Sequence, residues 1–499
     1  MLLALLLACA PPQEAARATL RRREVLLAHT NDLHAHFRPA PAPWLEGSPR
    51  IGGFEAIDAH LRSLRAAVGD VVYLDGGDLM TGTPLMELAE DGVAGGAMLR
   101  FLEAAGCDAW VVGNHELDRG IEHARQLVAS SGVPVLTANL MDRSGQPLLP
   151  GSLPHHIVEH NNLKIGVFGL TTDAMASLTA RETAAQLQVR SLAAVAREQV
   201  AVLEPQVDLV VALTHSGLDG DMALAEAVDG IDLIVGGHTH SSVEPPILVD
   251  GTWIVQAGSY GRQLGLVRLT VDDGEVGAFS GALVDLRLES LPGDASPAVR
   301  ALSRRMASAV DAAYGQQLGV LPAPLERGGS GESPMGRWGA EAVRRAAGAD
   351  VGAVNAGGLR ADLAAGPVTK GALYQVFPFS NQIATFSVSG EALVGILLRS
   401  ASRVLEERVP LQMSGVALRW RVRLGAPEVI SVTVGGEPLV LDRMYTIATS
   451  SFLADQGERR FGVSFGDVEL HDTTILDAAA AAVVEGSVMP SPPVLQRID

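Results

Sequence analysis

Five short apolar runs, each ending in polar residues, constrain what this chain can fold into more than any other feature. Runs of this length that are rich in β-branched residues are typical of buried strands. Segments with helical periodicity lie between them, at 54–66, 94–105, 120–130, 192–204 and 221–228. The alternation predicts an α/β (α+β) fold, in which sheets are covered by helices. The five runs are VLLAHTND (25–32), VVYLDGGD (71–78), AWVVGNHE (109–116), LVVALTHSG (209–217) and LIVGGHTH (233–240).

A second region begins after a break at 292–294, which reads Pro-Gly-Asp. Residues 296–314 predict one long helix, with Ser296 as its N-cap and Pro297 in its first turn. Strand and helix signals then resume and continue to the C-terminus. We therefore expect a leader and tether at 1–23, a first domain at 24–292, a linker helix within 293–317 and a second domain at 318–499.

Composition limits the classes of partner. The chain has 499 residues, of which 47% are hydrophobic, enough for the cores of more than one domain. Its 38 basic and 57 acidic residues leave a net charge of −19, which repels polyanions, so no nucleic acid polymer is expected as a partner. The 2 cysteines are too few for a disulfide framework.

The first ten residues, MLLALLLACA, predict export. They are apolar but too short to cross a bilayer, which takes about 20 residues. The stretch 6–9 resembles a bacterial lipoprotein cleavage box, and the polar segment after it suits a tether. We expect a periplasmic or cell-surface protein, and a lipid on Cys9 would attach it to the membrane. The basic residues that usually open a signal are missing, so a cytoplasmic protein with a misassigned start is the alternative.

Metal-competent side chains stand at the ends of all five predicted strands. Ligands collect at the carboxyl ends of strands in α/β sheets. One such side chain usually has a structural role, but seven at five strand ends favour a metal site. Mixed nitrogen and oxygen donors suit Zn, Mn, Fe or Co, and seven ligands fit two ions bridged by a carboxylate better than one tetrahedral ion. The seven are Asp32, His34, Asp78, Asn114, His215, His238 and His240.

The strings HTNDLHAHF, DGGDLMTGTP, GNHELD, THSG and GGHTH, in this order, resemble the calcineurin-like metallophosphoesterases. Among these they resemble the 5′-nucleotidase, UDP-sugar hydrolase and 2′,3′-cyclic phosphodiesterase family. The resemblance implies an N-terminal sandwich of mixed sheets flanked by helices, and a C-terminal substrate domain of the 5′-nucleotidase type. It implies two divalent ions, one held by Asp32, His34 and His240, the other by Asn114, His215 and His238, with Asp78 as the bridge. It also implies a catalytic dyad of His115 and Asp118.

The same resemblance places the substrate contacts in the second domain. The matching segments are NAGGLR (355–360), PFSN (378–381), LQMSG (411–415) and SSFL (450–453). They imply an arginine on the phosphate and two phenylalanine rings that stack on a nucleobase. The implied contacts are Asn355, Arg360, Phe379, Asn381, Gly415, Phe452 and Glu458.

Two departures from the family pattern leave the substrate open. The segment LERGGSG (325–331) contains only Arg327 where the family usually has further arginines, and Glu458 replaces an aspartate. We expect a dinuclear phosphohydrolase that removes phosphate from nucleotides by attack of a metal-bound hydroxide. Related alternatives are a 2′,3′-cyclic phosphodiesterase with 3′-nucleotidase activity, a UDP-sugar hydrolase and a thiosulfohydrolase. A non-catalytic, nucleoside-binding lipoprotein is the alternative from another class. The sequence predicts no oligomeric state.

Overall fold

A computed structural model describes residues 23–272, 275–329 and 331–498. Residues 1–22 of the expected leader and tether, with Cys9, lie outside these residues, and Arg23 already begins the strand Arg23–Thr30. Within the described ranges, no helix combines the length and the apolar composition needed to cross a membrane.

Two six-stranded mixed sheets form the first domain. All five predicted strands are present, three in one sheet and two in the other. Each strand ends before its predicted run does, so the last residues of every run lie in loops. Strand order in the first sheet is Glu275–Asp285, Gln263–Asp272, Arg23–Thr30, Val72–Asp75, Ala109–Val111 and Val135–Leu136. In the second sheet it is His155–His160, Leu163–Thr171, Leu209–His215, Leu233–Val235, Thr252–Val255 and Ile247–Val249.

The two sheets pack face to face. Alternate residues such as Val25 and Leu27 of one sheet and Val211 and Leu213 of the other share a buried apolar cluster. Helices cover the outer faces, so the domain is the expected sandwich. These helices are Phe54–Val68, Ala97–Ala105 and Ile121–Ser130 on the first sheet, and Leu192–Leu203 and Leu218–Ala227 on the second.

The expected linker helix spans Pro297–Tyr314. Its N-cap is Ser296, whose hydroxyl accepts from the backbone N–H of Val299 at 3.2 Å. The buried face of the helix, which includes Leu302 and Met306, joins the outer core of the first domain. At its C-terminal end the Tyr314 ring lies 5.7 Å from that of Tyr374 in the second domain.

The second domain is built on a five-stranded and a four-stranded sheet. The order of the first is Gln412–Ser414, Val351–Val354, Met444–Ser450, Gln382–Ser389 and Glu469–Thr474. The order of the four-stranded sheet is Glu437–Pro438, Ala426–Val434, Val416–Arg423 and Leu495–Arg497. A separate two-stranded sheet pairs Gln317–Leu321 with Gly366–Thr369. The helices are Pro334–Ala347, Lys370–Val376, Gly390–Leu405, Ser451–Asp455, Gly457–Phe461 and Ile475–Val484.

Candidate metal centre and substrate cleft

The seven predicted ligands stand at or just beyond strand ends in both sheets of the first domain. Parallel pairing brings the carboxyl ends of Arg23–Thr30, Val72–Asp75 and Ala109–Val111 to one edge of the first sheet. Leu209–His215 and Leu233–Val235 are likewise parallel in the second sheet. Since the sheets are stacked, the loops after these five strands meet at one end of the sandwich.

Five of the seven residues have left-handed backbone conformations. Their φ angles are 51° at Asp32, 47° at His34, 55° at Asp78, 81° at His238 and 56° at His240. Such conformations cost about 1–3 kcal/mol each and persist where surrounding contacts enforce them. Here the backbone N–H of Asp32 donates to the carbonyl of Gly77 at 2.8 Å, and that of His34 donates to the carbonyl of Asp78 at 2.9 Å. The two loops therefore hold each other in place.

The side chains of these loops converge on a chain of three donor clusters. Asp32, His34 and His240 form the first cluster, and Asp78, His215 and His238 form the third. His34, Asp78 and His115 form the second, which shares residues with both of the others. His34 Nε2 is 3.0 Å from His240 Nε2, and His215 Nε2 is 3.0 Å from Asp78 Oδ2. Asp78 Oδ2 is also 3.9 Å from His34 Nε2, which places this carboxylate between the two groups.

The donor set fits divalent cations. His34 Nδ1 lies 2.8 Å from the carbonyl oxygen of Thr81, and His215 Nδ1 lies 2.7 Å from that of Gly76, so each Nδ1–H has an acceptor and each Nε2 is left for a ligand role. Burial and the charge of Arg360 hold the pKa of His34 well below its usual range. Two buried oxygens of the predicted ligand set, Asp32 Oδ1 and Asn114 Oδ1, lack a hydrogen-bond partner within the described residues, and the nearest polar atom to His215 Nε2 is the Asp78 carboxylate oxygen, which like a neutral Nε2 is an acceptor. Buried polar atoms rarely stay unpaired, and cations would satisfy these.

The pair formed by His115 and Asp118 lies beside the donor clusters. His115 Nδ1 is 2.7 Å from Asp118 Oδ2, which also accepts from the Thr81 hydroxyl at 2.6 Å. Burial works against protonation, but the charges of Asp118 and Asp78 outweigh it and raise the pKa of His115. His115 Nε2 faces the site, 3.8 Å from Asp78 Oδ2. An imidazolium held in this way can donate to an oxygen that gains negative charge.

The second domain contributes two residues next to these clusters. Arg360 Nη2 lies 3.2 Å from His34 Nε2, and the Phe379 ring lies 5.7 Å from the His115 ring. Asn355, Phe379 and Asn381 line one pocket, together with Leu359, Phe377 and Ser450. The predicted arginine, one predicted aromatic ring and two amides thus meet at the cleft between the domains.

Residues 25–242 match the family model for calcineurin-like phosphoesterase, and residues 316–463 match that for the 5′-nucleotidase C-terminal domain. The chain belongs to the 5′-nucleotidase family of calcineurin-like metallophosphoesterases. Protein UshA of Yersinia enterocolitica is 26% identical over 91% of this chain and 90% of that protein. A 5′-nucleotidase of Vibrio cholerae is 27% identical over 87% of this chain and 85% of its own length.

Solved structures support this membership of the 5′-nucleotidase family. The 5′-nucleotidase precursor of Thermus thermophilus superposes with a TM-score of 0.81 at 25% identity, covering 96% of this chain and 100% of that one. The sulfate thiohydrolase SoxB of Thermus thermophilus, at 24% identity and a TM-score of 0.76, covers 95% of this chain and 96% of its own and shares the fold. This family member is therefore a metal-dependent hydrolase.

Three predicted substrate residues are not among the residues that line the Phe379 pocket of this 5′-nucleotidase-type domain. Phe452 is half-buried and makes no ring contact with Phe379 among the described residues. Glu458 is exposed and accepts from the Ser464 hydroxyl at 3.3 Å. Gly415 borders a separate pocket, and a Cβ on it would lie 2.3 Å from the carbonyl oxygen of Asp350, so packing alone requires a glycine there. The roles of these three in substrate binding stay predictions.

Glu116 is a residue of the family's GNHE segment that the sequence analysis missed. Its carboxylate is buried and accepts from four backbone N–H groups, those of Asp78, Leu79, Met80 and Gly113. Burial, and then the charge of Asp78, raises the pKa of Glu116 to about 7. Glu116 joins the loop of the predicted bridging ligand to the loop of Asn114 and His115. The sequence signal was an acidic residue at the end of the apolar run 109–116, five positions after the strand Ala109–Val111 ends.

Proposed function

We propose that this chain removes phosphate from nucleotides with two divalent cations. Asp32, His34 and His240 would hold one cation, Asn114, His215 and His238 would hold the other, and Asp78 would bridge them. The observation that carries the proposal is the convergence of six of these side chains at one end of the sandwich, with Asn114, the seventh, directly before His115 in the chain and its buried Oδ1 unpaired within the described residues. Their identity suits Zn, Mn, Co or Fe.

The cations and the residues around the donor clusters would have distinct roles in the reaction. When bound, the cations would polarise the phosphoryl group and make water a nucleophile at neutral pH. His115, held by Asp118 at 2.7 Å, donates a proton or a hydrogen bond to an oxygen of the reacting phosphate. Arg360 offers its planar guanidinium to the remaining phosphate oxygens.

The pocket in the second domain supports a nucleoside as the rest of the substrate. The half-buried Phe379 ring offers a surface for stacking, which is worth about 1–3 kcal/mol per base and tolerates any base. Asn355 and Asn381 supply amide donors and acceptors beside that ring. We propose Phe452 as the opposite ring and Glu458 as a ribose contact, on the motif match alone.

A substrate panel with metal analysis tests this proposal. The purified protein, loaded with Mn or Zn, is assayed for phosphate release from AMP, 3′-AMP, 2′,3′-cyclic AMP and UDP-glucose. We expect about two metal equivalents per chain and the highest kcat/KM with AMP. Tight nucleoside binding without hydrolysis of any phosphoester would contradict the proposal. A higher kcat/KM with 2′,3′-cyclic AMP or 3′-AMP would contradict the preference for 5′-nucleotides and favour the related phosphodiesterase instead.

We also propose that the protein is exported and carries a lipid on Cys9. The support is the sequence of the first nine residues, which lie outside the described part of the chain. Mass analysis of the N-terminal peptide of the native protein tests this. A modified Cys9 at the first position supports the proposal, and an unprocessed Met1 contradicts it.

A further inference from the structure

A buried asparagine joins the two sheets of the first domain directly beside a proposed metal ligand. Asn31 is the first residue after the strand Arg23–Thr30 of the first sheet, and it is 1% exposed. Its side-chain amide contacts the segment that follows the strand Thr252–Val255 of the second sheet. Asn31 Oδ1 accepts from the backbone N–H of Ala257 at 2.8 Å, and Asn31 Nδ2 donates to the carbonyl of Gly258 at 2.7 Å. One amide therefore satisfies a backbone donor and a backbone acceptor in a loop of the opposite sheet.

These two backbone contacts determine which way the amide faces. An amide has a donor end and an acceptor end, and the reverse orientation would set Nδ2 against an N–H and Oδ1 against a carbonyl. The nitrogen of Asn31 must therefore lie on the side of Gly258. The second hydrogen of the same nitrogen is donated to Asp32 Oδ2 at 2.7 Å. An ionised aspartate at position 31 would have no hydrogen to donate, so it could make neither contact of this nitrogen.

The two oxygens of the Asp32 carboxylate are therefore in different surroundings. Asp32 Oδ2 accepts from Asn31 and also from the backbone N–H of His238 at 2.9 Å. Asp32 Oδ1 is buried and lacks a hydrogen-bond partner in the part of the chain that the structure describes. It lies 3.3 Å from His240 Nε2 and 3.8 Å from His34 Nε2, the other members of the first donor cluster. Two donors thus hold one oxygen, and the other faces the cluster.

Glycines let the neighbouring loops close around Asn31. A Cβ on Gly76 would lie 2.8 Å from Asn31 Cβ and equally close to the carbonyl oxygen of Gly236. A Cβ on Gly237 would lie 2.5 Å from the carbonyl oxygen of Gly76 and 3.4 Å from Asp32 Oδ2. These distances leave no room for larger residues, so the loops pack directly on the asparagine. The amide is enclosed in an orientation that directs its nitrogen at Asp32.

We propose that Asn31 is a positioning residue for the cation that Asp32, His34 and His240 would hold. By occupying Oδ2, Asn31 leaves only Oδ1 of Asp32 to a cation and fixes the direction in which that oxygen points. Without this contact, the carboxylate keeps a single donor, the His238 N–H, and can rotate about its Cβ–Cγ bond. A cation would then have to order the ligand as it binds, which lowers the affinity. The inference rests on the proposed function, because it uses the same donor cluster.

The variant Asn31→Ser, with Asn139→Ser as its matched control, tests the positioning role. Asn139 is also buried, and its amide also joins two segments: Nδ2 donates to the carbonyl of Thr171 at 2.7 Å, and Oδ1 accepts from the Thr171 N–H at 2.9 Å. Among the described residues, this amide makes no hydrogen bond to a proposed ligand.

Competition with a chromogenic chelator measures the affinity for Zn²⁺. In Asn31→Ser, one of the two expected Zn²⁺ equivalents should bind about 10–100-fold more weakly than in the wild type, and the other should be unchanged. Asn139→Ser should bind both equivalents as the wild type does. In an Asp32→Ala background, Asn31→Ser should cause no further loss, since Asn31 acts through that carboxylate.

Urea unfolding with and without Zn²⁺ separates positioning from a general loss of stability. Both serine variants should lower the urea midpoint of the metal-free protein, because each leaves buried backbone groups unpaired. Only Asn31→Ser should also reduce the increase in midpoint that Zn²⁺ produces. An equal increase in the wild type and Asn31→Ser, or a further loss of affinity in the Asp32→Ala background, would make Asn31 structural and overturn the inference.

A crystal structure of the Zn²⁺-loaded wild type gives a test that needs no variant to fold. The ion should lie on Asp32 Oδ1 while Asn31 Nδ2 stays on Oδ2, and an ion bound through Oδ2 would overturn the inference. Wild-type protein that binds two Zn²⁺ ions yet hydrolyses no nucleotide would refute the proposed function and leave the role of Asn31 standing. Absence of Zn²⁺ from the first donor cluster of the wild type would refute both.

Discussion

Replacing Glu116 by glutamine tests whether the donor clusters depend on a backbone clamp as well as on the ligands. Glu116 Oε1 accepts from Leu79 N at 2.9 Å and from Met80 N at 3.3 Å. Glu116 Oε2 accepts from Gly113 N at 2.6 Å and from Asp78 N at 3.3 Å. One carboxylate thus fixes two loops that carry three of the proposed catalytic and ligand side chains.

The expected loss follows from these four contacts. Glutamine has one acceptor oxygen, so two of the four N–H groups lose their acceptor and face an amide donor instead. A buried donor left unpaired costs about 1–3 kcal/mol, and Glu116→Gln should therefore lower the free energy of unfolding by about 2–6 kcal/mol. Partners that orient metal ligands typically change metal affinity by about 10–100-fold, and we expect a loss in this range.

Urea unfolding and competition with a chromogenic chelator measure the two effects. The matched control is Glu122→Gln, because the Glu122 side chain is 76% exposed and forms an ion pair with Arg125 at 3.9 Å. The control should unfold at the wild-type urea concentration and bind metal with wild-type affinity. If Glu116→Gln did the same, the clamp would carry neither stability nor metal affinity and the reasoning would be wrong.

Three further substitutions address the bridge, the dyad and a buried carboxyl. Asp78→Asn should lower metal affinity at least about tenfold and turnover with it, whereas the exposed Asp173→Asn should change neither; retained metal in Asp78→Asn would move the bridge elsewhere. His115→Ala should keep the metal content and lower kcat about 10²–10⁴-fold, so metal loss would make His115 a ligand. Burial raises the pKa of Asp232 from 3.8 to about 6, so the folded chain keeps a proton that the unfolded chain releases. The free energy of unfolding should then fall as pH rises between these values, and Asp232→Asn should remove that fall by up to about 3 kcal/mol. Parallel urea profiles across this pH range would contradict the assignment.

The strands were predictable because their apolar runs are continuous, but their ends were not. The run 71–78 was expected to be strand throughout, whereas the strand is Val72–Asp75 and Asp78 lies in a loop at φ 55°. Left-handed residues carry no apolar pattern, so periodicity gives no sign of them. The division of the five strands between two sheets also lacks a local signal, since Val72–Asp75 and Leu209–His215 are buried in the same way. It became predictable only through the family resemblance.

The predicted ligands could be chosen from the sequence because metal-competent side chains at several strand ends are unusual, whereas the predicted substrate contacts had a weaker basis. Gly415 follows a strand in a segment that resembles a base-binding motif, yet it borders a pocket away from Asn381. Its φ of 79° and the close carbonyl of Asp350 already require a glycine. Where packing alone requires the residue that a motif contains, its presence is no evidence for a binding role.

The residues that sequence reasoning missed, Gly113 and Glu116, act through the backbone, and this explains why they were missed. A Cβ on Gly113 would lie 2.2 Å from Asp78 Oδ1, so this glycine lets the loop of His115 approach the predicted bridging carboxylate. Glu116 then fixes the two loops by accepting hydrogen bonds from their backbone N–H groups. Every non-proline residue has such a group, so no sequence motif marks these contacts. The identity of the donor side chains therefore predicts where a metal site would lie. The distances between those donors, and with them the metal affinity, depend on contacts that only the folded chain brings together.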